Sequence, residues 1–393
     1  MKSDREVAIV GIHATRQQRG TGRSVLSLML EALHGALDDA GLTLHDVDGW
    51  ISNQFPAGNL TGVYDANVAY QLGGNIGFFA DAWGARAVLY AAGAIRQGLA
   101  EVVVIPAAGS TTPGVVMAGY THPTYEFTEW TGSMTTAQFA LQARRHMHEF
   151  GSTVEQFADV AATIHNHGAR NPAALRFGQP DLTREAVLGE RMIADPFTRS
   201  MCSLVNDGAS CLVVTSAERA RDLRHAPVWV LGGSGQTRGN AYFEAPSLHM
   251  RDARPRMLDA FARAGVRHDD IDMVQCYDHF AFGPIWQFEV MGFCEFGEGG
   301  DYVPAAMGLD AAHPVCTDGG NLAYSHFGLP DNFKQIEIVN QFRGHVPDLC
   351  PDCGDGVHTY DRALCRKVRE PRLAVGCGAM TDGRHAMTIL AKD

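Results

Sequence analysis

Apolar and polar positions in the N-terminal part of the chain follow the periods of helices and buried strands in turn. Residues 23–40 carry apolar side chains at helical spacing, which predicts an amphipathic helix. Residues 84–98 are rich in alanine and apolar on most sides, as expected for a helix buried between sheets. The continuous apolar run at residues 101–108 is typical of a strand covered on both faces. This succession indicates an α/β protein.

One helix–turn–strand segment occurs twice in the chain. Residues 36–48 read ALDDAGLTLHDVD, and residues 260–272, which lie 224 positions further on, read AFARAGVRHDDID. In each copy the tail of a helix stops at a glycine, Gly41 or Gly265, and a polar turn leads into a strand. The same local signals in the same order predict a duplicated structure.

The strands on either side of this segment repeat as well. The turns are followed by predicted strands at residues 49–52 and 273–277, and the apolar runs at residues 7–16 and 228–238 form a second pair in the same order. Each match alone has a simpler explanation, because the strand–helix–strand units of any α/β protein resemble one another. Two matches at nearly the same offset favour two similar halves instead.

The two halves are predicted to span residues 1–226 and 227–393. Matching apolar strands at residues 210–215 and 386–391 end them. Residues 111–200 interrupt the first half and are richer in histidine, threonine and aromatic residues. We interpret these residues as a helical insertion, or lid, over the functional site, because long insertions commonly carry binding surfaces.

Composition excludes several classes of function. The 393 residues carry a formal net charge of −12, which argues against binding to nucleic acid or to an anionic membrane surface, since both require a basic face. No apolar run approaches the roughly 20 residues of a membrane span. The charged N-terminus passes directly into a predicted strand, so we expect no secretory signal. The nine cysteines lie mostly in apolar settings, which indicates reduced thiols and a cytoplasmic location.

One group of cysteines stands apart from this pattern. Cys350 and Cys353 form a CxxC pair, and His358 and Cys365 follow as two further candidate ligands. A structural zinc site usually shows two close pairs of ligands, so the group is a weak zinc candidate that a plain loop explains as well. We therefore predict no metal.

Three motifs, together with the repeat, carry a resemblance to a known family. Asn206 begins an Asn-Asp-Gly-Ala motif before a strand, Gly319 and Gly320 precede His326, and residues 376–380 form a glycine-rich turn near the C-terminus. With these markers in this order, nearly the whole chain resembles the thiolase superfamily, and within it the lipid-transfer-type thiolases. The resemblance implies a thiolase-like α/β fold, with duplicated βαβαβαββ halves forming five α-β-α-β-α layers.

Most of the catalytic positions of such thiolases are changed in this sequence. Alignment of the family's motifs puts Asp81 where the nucleophilic cysteine belongs and places the second cysteine position at or near Val375, with Cys377 out of register. The family's His-Asp-Cys-Phe motif reads Tyr-Asp-His-Phe at residues 277–280, and His326 is retained. Three of the four positions therefore differ from those of a working thiolase.

These replacements change the chemistry that the resemblance implies. Thiolase cleavage transfers an acyl group to an enzyme thiolate, and the carboxylate of Asp81 would be a poor substitute. A retro-aldol reaction requires only a base, an acid and stabilisation of a thioester enolate. We therefore expect a carbon–carbon lyase that cleaves a β-hydroxyacyl-CoA to a ketone or aldehyde and a shortened acyl-CoA such as propionyl-CoA. The lipid-transfer-like aldolases that shorten steroid side chains, which the chain resembles, suggest a steroid thioester.

The candidate site residues follow from these motifs. The expected catalytic residues are Tyr277, Tyr324 and His326. The residues expected to orient them or to contact the substrate are Asp278, His279, Asp81 and Gly378. Asp81 has a second interpretation, because a carboxylate at the start of a helix commonly caps free N–H groups.

Two other functions remain open from the sequence alone. One is an acyltransferase that uses a displaced nucleophile, Cys377 or Cys316, and the other is a non-catalytic carrier or scaffold subunit. The resemblance further implies a homodimer paired through a sheet edge, or a heterotetramer with a small OB-fold and zinc-ribbon partner. It implies no resident cofactor, because the CoA thioester is the substrate.

Overall fold

The computed structural model describes most of the chain, in seven ranges: residues 5–52, 66–110, 135–237, 250–326, 331–346, 366–378 and 384–393. The strands are β1 Val7–Ala14, β2 Gly49–Ser52, β3 Phe78–Asp81, β4 Val102–Gly109, β5 Met192–Ala194, β6 Phe197–Thr198, β7 Gly208–Ser216, β8 Val228–Thr237, β9 Met273–Gln275, β10 Leu373–Cys377 and β11 Arg384–Ala391. The α-helices are α1 Val25–Ala40, α2 Ala66–Gln71, α3 Gly84–Arg96, α4 Thr135–Phe150, α5 Val154–Ala169, α6 Arg184–Leu188, α7 Ala217–Ala220, α8 Arg254–Ala264, α9 Gly283–Met291, α10 Gly299–Ala306 and α11 Asp331–Arg343.

The order of the strands displays the duplication. Nine strands form one sheet in the order β3-β2-β4-β7-β1-β8-β11-β10-β9. From its centre outwards, β1, β7, β4 and β2 of the first half correspond to β8, β11, β10 and β9 of the second. In both halves the first two pairings are antiparallel and the third is parallel. The predicted duplication is therefore confirmed in the topology of the sheet.

The repeated segment has the same local structure in both halves, at equivalent positions. Helix α1 ends at Gly41, with φ 72°, and helix α8 ends at Gly265, with φ 67°. Both glycines adopt the left-handed conformation that an L side chain disfavours. A short 3-10 turn follows in each copy, at residues 44–46 and 268–270, before β2 and β9 begin. The glycine stop and the acidic turn thus produce the same local structure 224 positions apart.

Two helices occupy the middle layer of the protein. Helix α3 contacts α11 and strands of both halves, and α11 contacts β1 and β7 as well as β9 and β10. On the outside, α1 covers β1, β7 and β4, while α8 covers β8. The alanine-rich sequence of α3 leaves little side-chain bulk, so both groups of strands approach it closely. This arrangement gives the five layers that the sequence predicts, with α3 buried as expected.

The insertion within the first half is helical where the structure describes it. Of the predicted range, residues 111–134 lie outside the described ranges, and the remainder holds α4, α5, α6 and the β5–β6 hairpin. His146 Nε2 on α4 lies 2.9 Å from Glu289 Oε2 on α9, and both side chains are fully buried. The insertion is therefore packed firmly on the second half. Within the described ranges, no helix combines the length and apolar character needed to cross a membrane.

Candidate active site

Tyr277 lies just beyond the end of β9, at the edge where two parallel strands finish. Strand β9 pairs with β10, and Gln275 is opposite Gly376. The N–H of Tyr277 donates to Gln287 Oε1 at 3.0 Å, and its carbonyl accepts from Gln287 Nε2 at 2.7 Å. Because Gln287 satisfies these backbone groups, the strand ends at Gln275 and not at Tyr277 as predicted. Tyr277 is thereby placed at the carboxyl edge of the sheet, where α/β sites form.

His326 reaches the same place from a different segment. It follows a π-helical turn, Gly320–Tyr324, and its imidazole Nε2 lies 3.3 Å from the Tyr277 hydroxyl oxygen. Tyr277 is 8% exposed, and His326 is partly buried. The structure thus brings together two of the three residues that the sequence predicts to be catalytic.

The Asn206 motif holds the backbone of His326. Asn206 Oδ1 accepts the N–H of His326 at 3.1 Å, and its Nδ2 donates to Gln17 Oε1 at 2.9 Å. Gly208 leaves room for this contact, because a Cβ at that position would lie 1.9 Å from Gln17 Oε1. The sequence marked this motif as a family feature, and the structure shows its physical role as an anchor for the histidine segment.

Asp278 links the segment of Tyr277 to the turn that precedes His326. Its carboxylate accepts the N–H of Asn321 at 2.9 Å and that of Leu322 at 3.3 Å, both in the π-helical turn. Gly320 in the same turn has φ 55°, and a Cβ there would lie 2.1 Å from Asp278 Oδ2. The residue after Tyr277 therefore fixes the turn that leads to His326, in agreement with the orienting role expected for Asp278.

Lys334 completes this arrangement, and sequence reasoning missed it. Its Nζ, on α11, lies 2.6 Å from Asp278 Oδ1, and both side chains are fully buried. Burial opposes the charge on Lys334, but the combined effect of Asp278, Cys316 and Asp318 is larger and the pKa of the lysine is raised. Only the position of α11 in the middle layer reveals this contact, because a lysine in a polar helix ordinarily indicates a surface position.

Both histidines of the site are neutral at physiological pH. Burial lowers the pKa of His326 to about 4, against an opposing effect of Asp278 and with a smaller contribution from Lys334. Burial also lowers the pKa of His279 well below its usual value. The His279 ring lies 4.6 Å from that of Tyr277 and 4.1 Å from that of Phe139. His279 thus packs beside the pair, consistent with the supporting role expected for it.

Tyr324 lies apart from Tyr277 and His326. It lines a separate cavity of about 320 Å³, together with Asp318 and Arg366, and its ring packs 4.8 Å from that of Phe333. Burial, with a smaller contribution from Asp318, raises its pKa. The structure therefore does not show Tyr324 in contact with Tyr277 or His326, and its catalytic role stays a prediction.

Asp81 and Gly378 also differ from expectation in their surroundings. Asp81 is exposed and is the last residue of β3, whereas α3 has Trp83 at its N-cap, so Asp81 does not occupy the cap position. The N–H of Gly378 donates to the Ala386 carbonyl at 2.7 Å. A Cβ on Gly378 would lie 3.3 Å from the backbone nitrogen of Ala85. Gly378 therefore lets β10 approach the start of α3, and its N–H is already engaged.

The cysteines considered as displaced nucleophiles are both buried. Cys316 and Cys377 have no exposed surface. Burial raises the pKa of Cys316 well above its usual value, and the negative charge of Asp278 adds to the effect. Cys377 Sγ contacts Met291 Sδ at 3.6 Å. The environment of Cys316 therefore disfavours the thiolate that nucleophilic attack requires, and Cys377 exposes no surface to a substrate.

The weak zinc candidate, Cys350, Cys353, His358 and Cys365, lies outside the described ranges. In the part of the chain that the structure describes, no cluster of three or more His, Cys, Asp or Glu side chains has a metal-binding arrangement. The prediction that the chain holds no metal thus stays a prediction.

Comparison with known proteins places this fold and site in a family. Residues 234–353 match the family described as thiolase C-terminal domain-like. The chain is 34% identical to the steroid side-chain-cleaving aldolase of Thermomonospora curvata, over 90% of this chain and 96% of the relative. It is also 34% identical to the 17-hydroxy-3-oxo-4-pregnene-20-carboxyl-CoA lyase of Mycobacterium tuberculosis, over 90% and 97% of the two chains.

Solved structures give the same result. The Ltp2-ChsH2(DUF35) aldolase superposes with a TM-score of 0.82 at 28% identity, over 100% of this chain and 99% of that chain. Human mitochondrial 3-ketoacyl-CoA thiolase, at 16% identity and a TM-score of 0.69, shares the fold. The fold and the site thus define a thiolase-like enzyme without the thiolase nucleophile. The chain belongs to the thiolase superfamily, in the branch that holds the steroid side-chain-cleaving aldolases, and is a carbon–carbon lyase.

The space at Gly320 provides a test of this site. We expect Gly320→Ala to displace the Asp278 carboxylate and lower kcat on the order of tenfold or more, since a misplacement of about 1 Å can cost ~10²-fold. Gly344→Ala is the matched control, because Gly344 has φ 71° and a Cβ there would meet no atom within 4 Å. Steady-state kinetics and thermal melting of both variants would decide. Equal kcat values for the two variants would contradict the role of Asp278.

Proposed function

We propose that this protein catalyses retro-aldol cleavage of a β-hydroxyacyl-CoA, with Tyr277 and His326 as the proton-transfer pair. The observation that carries the proposal is the 3.3 Å contact between the Tyr277 hydroxyl and His326 Nε2, at the carboxyl edge of the sheet. Neutral imidazole and phenol groups exchange protons and form no acyl-enzyme, which suits an aldolase better than a thiolase.

The bonds and protons of this reaction balance within the site. A base removes the proton of the β-hydroxyl group, the Cα–Cβ bond breaks, and its electron pair moves to the α-carbon. This step gives a ketone or aldehyde and a thioester enolate, which is then protonated at the α-carbon to the shortened acyl-CoA. One proton leaves the substrate and one returns, so acid and base suffice and no cofactor is required.

His326 is the better base of the pair. With its pKa lowered to about 4 by burial, it is neutral at physiological pH and has a free lone pair. The backbone of Leu204 hydrogen-bonds the imidazole, and because the Leu204 N–H donates to Asn321, its carbonyl is the acceptor. The imidazole proton therefore faces Leu204, and Nε2 accepts a proton on the side of Tyr277. In this scheme Tyr277 protonates the enolate, and the contact with His326 restores its proton.

The substrate follows from the relatives. One relative is named for cleavage of steroid side chains, and the other for a 20-carboxyl-CoA thioester of a 17-hydroxy steroid. In that compound the hydroxyl group is β to the thioester carbonyl, as retro-aldol cleavage requires. By extension, this chain would take a steroid side-chain CoA thioester and release a ketone with a shortened acyl-CoA such as propionyl-CoA.

A basic cavity beside the site fits the phosphates of CoA. A cavity of about 700 Å³ is lined by Leu204, whose backbone hydrogen-bonds the His326 imidazole, and by three arginines, Arg19, Arg176 and Arg199. The one carboxylate of the lining, Glu190, accepts hydrogen bonds from the N–H and the hydroxyl group of Ser200. The lining of this cavity therefore carries an excess of positive charge, although the whole chain has a net charge of −12. This local positive charge suits the anionic nucleotide of a CoA ester.

Arg176 provides the test of this cavity. It is half-buried, and its Nε has no hydrogen-bond partner among the described residues. We expect Arg176→Gln to raise KM for a CoA thioester about tenfold with little change in kcat, because a hydrogen bond to a charged group contributes about 1.5–3 kcal/mol. Arg263→Gln, on the exposed face of α8, should change neither constant. An unchanged KM for Arg176→Gln would exclude the cavity as the CoA site.

Substitution of the catalytic pair tests the reaction itself. Tyr277→Phe should leave melting nearly unchanged and lower turnover roughly 10²–10⁴-fold, as expected for loss of one positioned proton-transfer group. His326→Ala should act similarly. Cys316→Ser and Cys377→Ser should cost far less, and iodoacetamide should not stop CoA-ester cleavage. The assay is product analysis with a panel of β-hydroxyacyl-CoA esters, with the natural partner protein present.

Two outcomes would contradict the retro-aldol reaction. An inactive cysteine variant together with normal turnover by Tyr277→Phe would identify an acyltransferase with a relocated nucleophile. Absence of turnover with every ester, in the presence of the partner, would identify a carrier or scaffold subunit.

The assembly belongs to the same proposal. Strand β3 lies at the edge of the nine-stranded sheet, and its Phe79 side chain is 39% exposed, which supports a homodimer formed by pairing of this edge. The name Ltp2-ChsH2(DUF35) aldolase denotes a two-component enzyme, which supports a small OB-fold and zinc-ribbon partner and a heterotetramer. A cytoplasmic location agrees with the free thiols of the six cysteines in the described ranges.

Light scattering would test the homodimer. The particle mass measured for the parent protein should be twice the chain mass of 42.5 kDa. Phe79→Arg should give a monomer, because it places a charge at the sheet edge. Leu258→Arg is the control, because Leu258 is also 39% exposed but lies on α8. A parent chain that is monomeric at micromolar concentration would exclude the dimer.

A further inference from the structure

A buried ion pair lies directly behind the catalytic pair and has no solvent-exposed surface. Lys334 Nζ contacts Asp278 Oδ1 at 2.6 Å and lies 3.9 Å from Cys316 Sγ. Asp278 adjoins Tyr277 in sequence and binds the turn that leads to His326. A buried carboxylate with backbone partners alone would leave one uncompensated negative charge next to the catalytic imidazole.

The charges around His326 oppose one another. Asp278 raises the pKa of His326 and Lys334 lowers it. These two effects oppose each other, and burial is the dominant cause of the lowered pKa. The other titratable groups that face these residues are the hydroxyl of Tyr277, neutral His279, the Cys316 thiol and Asp318. Burial raises the pKa of Asp318 to about 7, so Asp318 adds less than a full negative charge at neutral pH. Lys334 is thus the cation of this set that contacts Asp278 directly.

We propose that Lys334 is a positioning residue for the reaction: its ammonium group, in direct contact with the Asp278 carboxylate, cancels the negative charge beside the turn that leads to His326, so that His326 stays neutral as the proton acceptor. This inference rests on the proposed function only in assigning the acceptor role to His326. A merely structural ion pair would support the fold in the same way, but its removal would not change the protonation of the histidine.

Removal of the lysine charge should change the titration of His326. In Lys334→Met the carboxylate of Asp278 acts on His326 without compensation, which raises the pKa of the histidine. With [13Cε1]-histidine labelling, the His326 signal should titrate between pH 5 and pH 8 in this variant, but not in the parent chain. His326→Gln assigns the signal, and Lys392→Met, which removes an exposed lysine, is the control. The readout requires no substrate, so it remains valid if the chain cleaves no CoA ester.

The double variant Asp278→Asn/Lys334→Met separates charge from fold. It removes both charges, so the His326 signal should again be constant between pH 5 and pH 8. In the kinetics, the acidic limb of kcat/KM should move to higher pH in Lys334→Met and return in the double variant. If Lys334→Met does not fold, Lys334→Gln carries the same test, because it removes the charge but keeps a hydrogen-bond donor beside Asp278. A constant His326 signal between pH 5 and pH 8 in a folded variant that lacks only the lysine charge would overturn the proposal.

Discussion

A carboxylate buried inside a protein requires hydrogen-bond partners for its oxygens, and Asp278 obtains them from the elements that build the site. The N–H groups of the π-helical turn bind it on one side and Lys334 binds it on the other. Because Asp278 adjoins Tyr277 and the turn leads to His326, satisfying one buried charge also sets the distance between the two catalytic groups. Gly320 shows how tight this constraint is, since even a methyl group there would overlap the carboxylate.

The duplicated fold supplies each of these partners. The parallel strands β9 and β10 end at one edge and place Tyr277 there, while α11 crosses the middle layer and carries Lys334 behind it. The first half contributes Asn206, which begins the motif before β7 and holds the backbone of His326. Residues of both halves therefore hold one another in place at this site. Moving any one element would leave a buried polar group without its hydrogen-bond partner.

The features that could be predicted from the sequence are those that local chemistry or the motif determines. Gly41 and Gly265 stop helices because the backbone requires a left-handed residue, so the repeat was predictable. The five layers were implied by the resemblance to the thiolase superfamily. The pairing of Tyr277 with His326 came from the resemblance. The placement of Tyr324 in a separate cavity could not be predicted, because it depends on the π-helical turn, which no local pattern encodes. Lys334 was missed because its burial depends on α11 packing between sheets, which no local pattern encodes.

The same physical conditions disfavour a nucleophilic thiolate at the buried cysteine of this site. A buried thiol such as Cys316 is held in its neutral form by desolvation and by the neighbouring carboxylate, so the site disfavours a thiolate. The same burial keeps His326 neutral, and a neutral imidazole is the form that accepts a proton. An environment that suppresses acyl transfer therefore favours proton transfer. Such a site is compatible with the retro-aldol cleavage proposed above, since that reaction requires proton transfer and enolate stabilisation but no covalent intermediate.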